Sequence, residues 1–160
     1  MATESFYNES GTSPPTLAWH YTTMPRFESI QSTGRINRAT ALVEKGERAA
    51  AWFTTSNNFE ATALLGNGSR TLTLEEQCGF YTAVRIGVKV NRLDSYKTWK
   101  RNSKCSRRMQ EALERAAIKA VSNPNRDWHI SFTPISWVGW VCVEYSADGH
   151  NWVPMVEVQS

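Results

Sequence analysis

Apolar and polar positions divide the 160-residue chain into short stretches that alternate between strand-like and helix-like periods. Residues 17–22 (LAWHYT) turn aromatic and β-branched toward their end and predict a strand. Pro25 then suits the first turn of a helix, with Phe27 and Ile30 on one face and Gly34 where a left-handed glycine ends helices. Residues 39–50 mix charged and small side chains around Gly46 and read as a loop or short helix. Residues 50–55 (AAWFTT) predict a second buried strand. Asn57 or Asn58 would cap a following helix in which Phe59, Thr62 and Ala63 share a face before Gly66 stops it. Residues 66–69 are a turn, without the GK[ST] ending of a phosphate loop. Residues 79–90 alternate through Phe80, Thr82, Val84, Ile86, Val88 and Val90, the pattern of a strand with one apolar face. Ser106 caps the clearest helix, whose core stripe runs Met109, Leu113, Ala116, Ala117, Ala120 until Asn123-Pro124 closes it. Three strands are predicted after it, over 128–133, 137–145 and 152–158, and Ala147-Asp148-Gly149 turns the last two into a hairpin. Without a βαβ rhythm, the order points to an α+β fold.

Composition narrows the class. Hydrophobic residues at 41% and charged residues at 21% are those of a globular chain, and the length suits one domain. Residues 1–15 are polar and rich in Ser, Thr and Pro, so they read as a flexible leader to a single domain over 16–160. No apolar run approaches the ~18 residues that span a membrane, and the start has no apolar signal core, which predicts a cytoplasmic protein. Cys78, Cys105 and Cys142 form no CxxC pair, against a disulfide framework or structural zinc. Seven Trp residues build a core, line a pocket for a flat ligand, or do both. Net charge is only +3, yet Lys97, Lys100, Arg101, Lys104, Arg107 and Arg108 fall within twelve positions free of acids. Such a run is a solvated helix face and loop, or the footprint of a phosphate-bearing partner such as nucleic acid. No RNP, zinc-finger or helix-turn-helix signature accompanies it.

Most generic chemical motifs are missing. There is no HExxH, GxSxG or GxGxxG, and His20, His129 and His150 show no helical ligand spacing. Cys142 in an apolar strand reads as an inert thiol, and Asp148 and His150 as turn chemistry. What remains is a pair of strand-then-helix segments. Trp19-His20-Tyr21-Thr22 leads to Ser29-Ile30-Gln31 and Gly34; Trp52-Phe53-Thr54-Thr55 leads to Phe59-Glu60-Ala61. Together, over about residues 17–66, these segments resemble the ADP-ribosyltransferase superfamily, most closely its diphtheria-toxin-like branch with the His-Tyr-Glu signature.

The resemblance implies a split β-sandwich with flanking helices that holds NAD⁺ as a substrate. His20 would hydrogen-bond the adenosine ribose, and the backbone of Tyr21 the nicotinamide amide, in a cofactor-binding set completed by Thr22, Trp52, Phe53 and Thr54. Phe53 falls where the family stacks a tyrosine on the nicotinamide ring, a contact of ~0.5–2 kcal/mol for a cation on a desolvated ring. Leu64 stands nearest the second stacking position, leaving Phe59 or a C-terminal Trp to substitute. A late-strand glutamate would stabilise the oxocarbenium-like state left by nicotinamide; Glu144 in Val-Glu-Tyr is the candidate and Glu157 the reserve. The implied activity is mono-ADP-ribosylation of a nucleic acid or protein, as in a toxin, phage or defence effector. Two rivals stand beside it: a non-catalytic NAD-binding relative that senses or sequesters the nucleotide, and a basic binding module whose aromatics are only core.

Overall fold

A computed structural model of the chain describes residues 16–66 and 69–155. The predicted leader, Glu157 and the end of the last predicted strand lie outside the described residues. In chain order, β1 (Leu17–Thr23) runs directly into α1 (Met24–Thr33), followed by β2 (Arg35–Ile36), β3 (Ala51–Thr54) and α2 (Leu74–Phe80). Next come β4 (Ala83–Lys89), β5 (Asp94–Ser95), α3 (Tyr96–Asn102), α4 (Arg107–Lys119) and the one-turn α5 (Pro124–Asp127). The chain closes with β6 (Trp128–Ser131), β7 (Ile135–Ser136), β8 (Trp140–Ser146) and β9 (Val153–Pro154). The result is a mixed α+β fold around a seven-stranded antiparallel sheet in the order β5-β6-β3-β1-β4-β8-β9, with β2 and β7 paired separately. Among the described residues, no helix is long and apolar enough to cross a membrane.

The central sheet is split. β1 pairs with β4 over its whole length, from Leu17–Lys89 to Thr23–Ala83. On its other side it meets β3 at one register pair, Trp19–Thr54. Strand alternation then sorts the two faces. Ala18, Val84, Ile86, Val88, Ala51 and Phe53 form one buried cluster with Phe27 of α1 and Ile36 of β2. The opposite face carries two clusters: Trp19, Tyr21, Phe59 and Ala83, and a second in which Trp128 and Ile130 pack with Tyr96 and Trp99 of α3 and Ala117 of α4.

Several sequence expectations change here, each for a local reason. The helix predicted after β3 is only a 3₁₀ turn, Ala61–Ala63, because the Glu60 carboxylate accepts from the Thr62 backbone N–H and Leu64 returns to extended geometry. The strand predicted over 79–90 begins at Ala83; Gly79 and Phe80 end α2, and Tyr81 and Thr82 link the two. A capping box starts that helix, Thr73 accepting from the Glu76 N–H and Glu76 from the Thr73 N–H. Phe80 extends the alternation by coincidence, since it sits in the helix 73% exposed. The strand predicted from 137 begins at Trp140, after a 3₁₀ turn, Trp137–Gly139. Residues 39–50 form no regular element, while Ser106 caps α4 as expected by accepting from the Met109 N–H.

The turn after β8 supports a stability prediction. Gly149 sits at φ +79°, and a Cβ there would lie 2.7 Å from a Leu74 methyl carbon; Gly46 at φ +82° has nothing within 4 Å. Both Ala variants incur the left-handed strain, and only Gly149→Ala adds the clash. It should therefore lose roughly 1–3 kcal/mol more than Gly46→Ala in urea denaturation. Equal losses would show that Leu74 gives way freely.

Candidate functional site

Where β1 and β3 part, the sheet opens into a cleft of about 280 Å³, at the small end of ligand sites. Its walls come from three directions. β1 and β3 give Trp19, His20, Tyr21, Trp52, Phe53 and Thr54; the 39–50 loop gives Leu42, Val43 and Glu47; and the remaining wall is Glu60 with Trp99, Met109, Leu113 and Trp128. Trp52 anchors the aromatic side, with its ring 4.8 Å from Trp99 and 5.9 Å from Trp128, both edge-on. Among the described residues no Lys or Arg lines the cleft, whereas two carboxylates, Glu47 and Glu60, do.

His20 bridges the split. Its Nδ1 lies 2.9 Å from the Trp52 carbonyl, which can only accept, so Nδ1 carries the proton and a neutral ring leaves Nε2 as an acceptor. The ring also leans on Phe53, with centroids 5.7 Å apart. Burial holds the His20 pKa below its ordinary 6.5, the Trp52 hydrogen bond offsetting part of this. The sign follows from linkage. A histidine that resists protonation when folded contributes stability that is full above the unfolded pKa and is lost as pH falls toward the folded one. Wild type should thus lose urea stability more steeply than His20→Gln as pH falls below about 6.5. Parallel profiles would rule His20 out as the group responsible.

Glu60 is the second feature of the cleft. One oxygen accepts from Ser122 Oγ at 2.6 Å, Thr62 Oγ1 at 2.8 Å and the Thr62 N–H at 3.3 Å; the other faces Trp128 Nε1 at 3.4 Å. Every donor is neutral, and no ion pair reaches this buried carboxylate among the described residues. A buried carboxylate held only by neutral dipoles favours a cation in the adjoining space.

Glu144 is placed differently. Cross-strand register sets Tyr21, Arg85 and Glu144 in one row and His20, Ile86 and Val143 in the next, so Glu144 and His20 project from opposite faces of the sheet. The Glu144 carboxylate accepts from Arg85 Nε at 2.6 Å and is not among the cleft-lining residues. The Arg85 guanidinium lies 4.0 Å from the Trp19 ring and 4.4 Å from the Trp152 ring and donates to the Asn57 carbonyl at 3.1 Å. Of the other expected site residues, Tyr21, Trp52, Phe53 and Thr54 reach the cleft beside His20, whereas Thr22 is buried outside it. Leu64 packs near Trp19, Tyr21 and Phe59, and among the described residues the cleft-lining tryptophan from the strands after α4 is Trp128.

No motif in the sequence marks Glu60, Met109 or Leu113 as a cleft residue: Glu60 belongs to the segment that carries the resemblance, and Met109 and Leu113 to a core stripe. The acid in a Ser/Thr/Asn-rich turn after β3 was a visible signal; its partners Ser122 and Trp128, more than sixty residues away, were not. Near the cleft edge, Glu44, Glu47 and Cys105 bring ligand-type atoms within 4.8 Å of one another. Glu44 is already engaged by the Ser106 N–H and hydroxyl, and burial, with the two neighbouring carboxylates, pushes the Cys105 thiol up to about 12. No family model, curated protein or solved structure matches the chain.

Proposed function

We propose that the cleft binds NAD⁺ and that the protein is an NAD⁺-dependent mono-ADP-ribosyltransferase with the split β-sandwich fold of that superfamily. One observation carries the reading: His20, whose second ring nitrogen is unengaged among the described residues, and the Glu60 carboxylate, without a counter-ion among them, line the same aromatic cleft. Nicotinamide in NAD⁺ is a flat cation, suited to aromatic walls and a nearby carboxylate. Its departure takes the electron pair of the C1′–N bond and leaves positive charge on the ribose, which Glu60 would stabilise electrostatically. The acceptor's lone pair then forms the new bond to C1′, and the acceptor sheds a proton. His20 Nε2 would receive a ribose hydroxyl, as expected for its position in the resemblance. Because no Lys or Arg among the described residues lines the cleft, the diphosphate belongs outside it.

The test is nicotinamide release from NAD⁺, with and without cell lysate, by wild type and His20→Ala. Removing the ribose acceptor should lower kcat/KM by at least roughly tenfold, the equivalent of one lost hydrogen bond. No release in any arm, together with no NAD⁺ binding, would sink the proposal. A second reading, a non-catalytic NAD⁺ sensor, draws support from the commitment of Glu144 to Arg85. That reading expects NAD⁺ binding without turnover.

A further inference from the structure

The charge on this molecule is concentrated in one unit. Residues 97–119, spanning α3, its connection and α4, hold eight of the eighteen Lys and Arg but two of the fifteen Asp and Glu. The unit therefore carries +6 and the rest of the chain −3. Both acids are occupied: Glu114 pairs with Lys100 at 2.6 Å and Glu111 with Arg107 at 3.0 Å. Lys97, Arg101, Lys104, Arg108, Arg115 and Lys119 are exposed and, among the described residues, make no side-chain hydrogen bond or ion pair, Arg108 feeling the Glu44 carboxylate only at longer range. Lys97 and Arg101 are one turn apart on α3. Arg108, Arg115 and Lys119 recur at helical spacing along α4, forming a ridge about 16 Å long.

The same helices turn their other side to the cleft, through Trp99, Met109 and Leu113. A cationic ridge and an aromatic, acid-lined cleft thus stand about one helix diameter apart, ~10 Å. Phosphates are drawn to the ridge and repelled by Glu47 and Glu60, whereas a neutral aromatic base suits the cleft walls. A duplex keeps its bases stacked and cannot present one across that gap, while a single strand can.

We infer that the α3–α4 unit is a docking surface for the backbone of a single-stranded nucleic acid, DNA or RNA, and that it presents a base at the mouth of the cleft. The inference rests on the NAD⁺ reading for what happens in the cleft, but the docking itself does not require NAD⁺.

The experiment measures fluorescence anisotropy of labelled single-stranded DNA and RNA, the matching duplex, and a poly-glutamate of similar charge, over a salt series without NAD⁺. Single strands should bind at least tenfold more tightly than poly-glutamate and more tightly than the duplex. The variant K97Q/R101Q/R108Q/R115Q, its folding checked by thermal melting, should lose at least tenfold affinity. Its log K–log[salt] slope should be shallower by about 3 for four lost contacts. Equal affinity for poly-glutamate, tighter duplex binding or undiminished binding by the variant would each overturn the inference. Nicotinamide release by wild type is read separately. Release without oligonucleotide binding overturns the docking surface alone, and binding without release or NAD⁺ affinity overturns the transferase reading alone.

Discussion

Glu60→Gln is expected to cut nicotinamide release from saturating NAD⁺ by roughly 10²–10³-fold, the scale seen when one preorganised electrostatic stabiliser is removed. The substitution is close to isosteric. The amide oxygen can keep the bonds from Ser122 and Thr62, and only the long 3.4 Å approach of Trp128 Nε1 meets a second donor. The fold should therefore survive, and NAD⁺ affinity should change far less than kcat, because the negative charge matters most when the ribose becomes cationic. Glu144→Gln is the companion measurement. If Glu144→Gln abolished turnover while Glu60→Gln left it intact, Glu144 and not Glu60 would be the carboxylate that stabilises the ribose cation.

Arg85→Met should be the most destabilising single change, costing about 3–5 kcal/mol in urea denaturation. The Arg85 and Glu144 side chains are only 10% and 20% exposed, so losing the guanidinium leaves a mostly buried carboxylate without its partner. It also removes the cation packed against Trp19 and Trp152, which is part of how β1, β4, β8 and the chain after β8 hold together. Glu144 keeps some access to water, which favours the lower end of the range. The double variant Arg85→Met/Glu144→Leu should recover much of the loss, since a well-packed apolar pair removes both desolvation costs. Additive losses would mean that the pair is not coupled and that Glu144 is available for other work.

These two expectations separate roles that the linear chain left merged. A glutamate in a late apolar strand, next to Tyr145, invited a catalytic assignment, yet Arg85, directly opposite on β4, engages it. Nothing near Glu144 in sequence names Arg85, because the pairing depends on a register formed between strands some sixty residues apart. Glu60 had the reverse history. It stood inside the motif that carried the resemblance, but its role rests on Ser122 and Trp128 closing over it from the far side of the chain. The basic run was fully visible in composition; its position on the reverse of the cleft wall was not.

What the sequence determined by itself is local chemistry. The aromatic and β-branched end of 17–22 set β1, hydrophobic alternation set the body of β4, Ser106 and the Met109–Leu113 spacing set α4, and the Trp-His-Tyr-Thr and Trp-Phe-Thr-Thr segments marked both lips of the cleft. Each signal acts within a turn or a strand, where backbone geometry and side-chain period are enough. The tertiary structure alone decided that β1 and β3 part after a single register pair, that His20 bridges the gap, and that Glu60 rather than Glu144 shares its cleft. The physical reason is that pairing register and sheet face are collective properties: a one-residue change in register moves a side chain to the opposite side of the sheet.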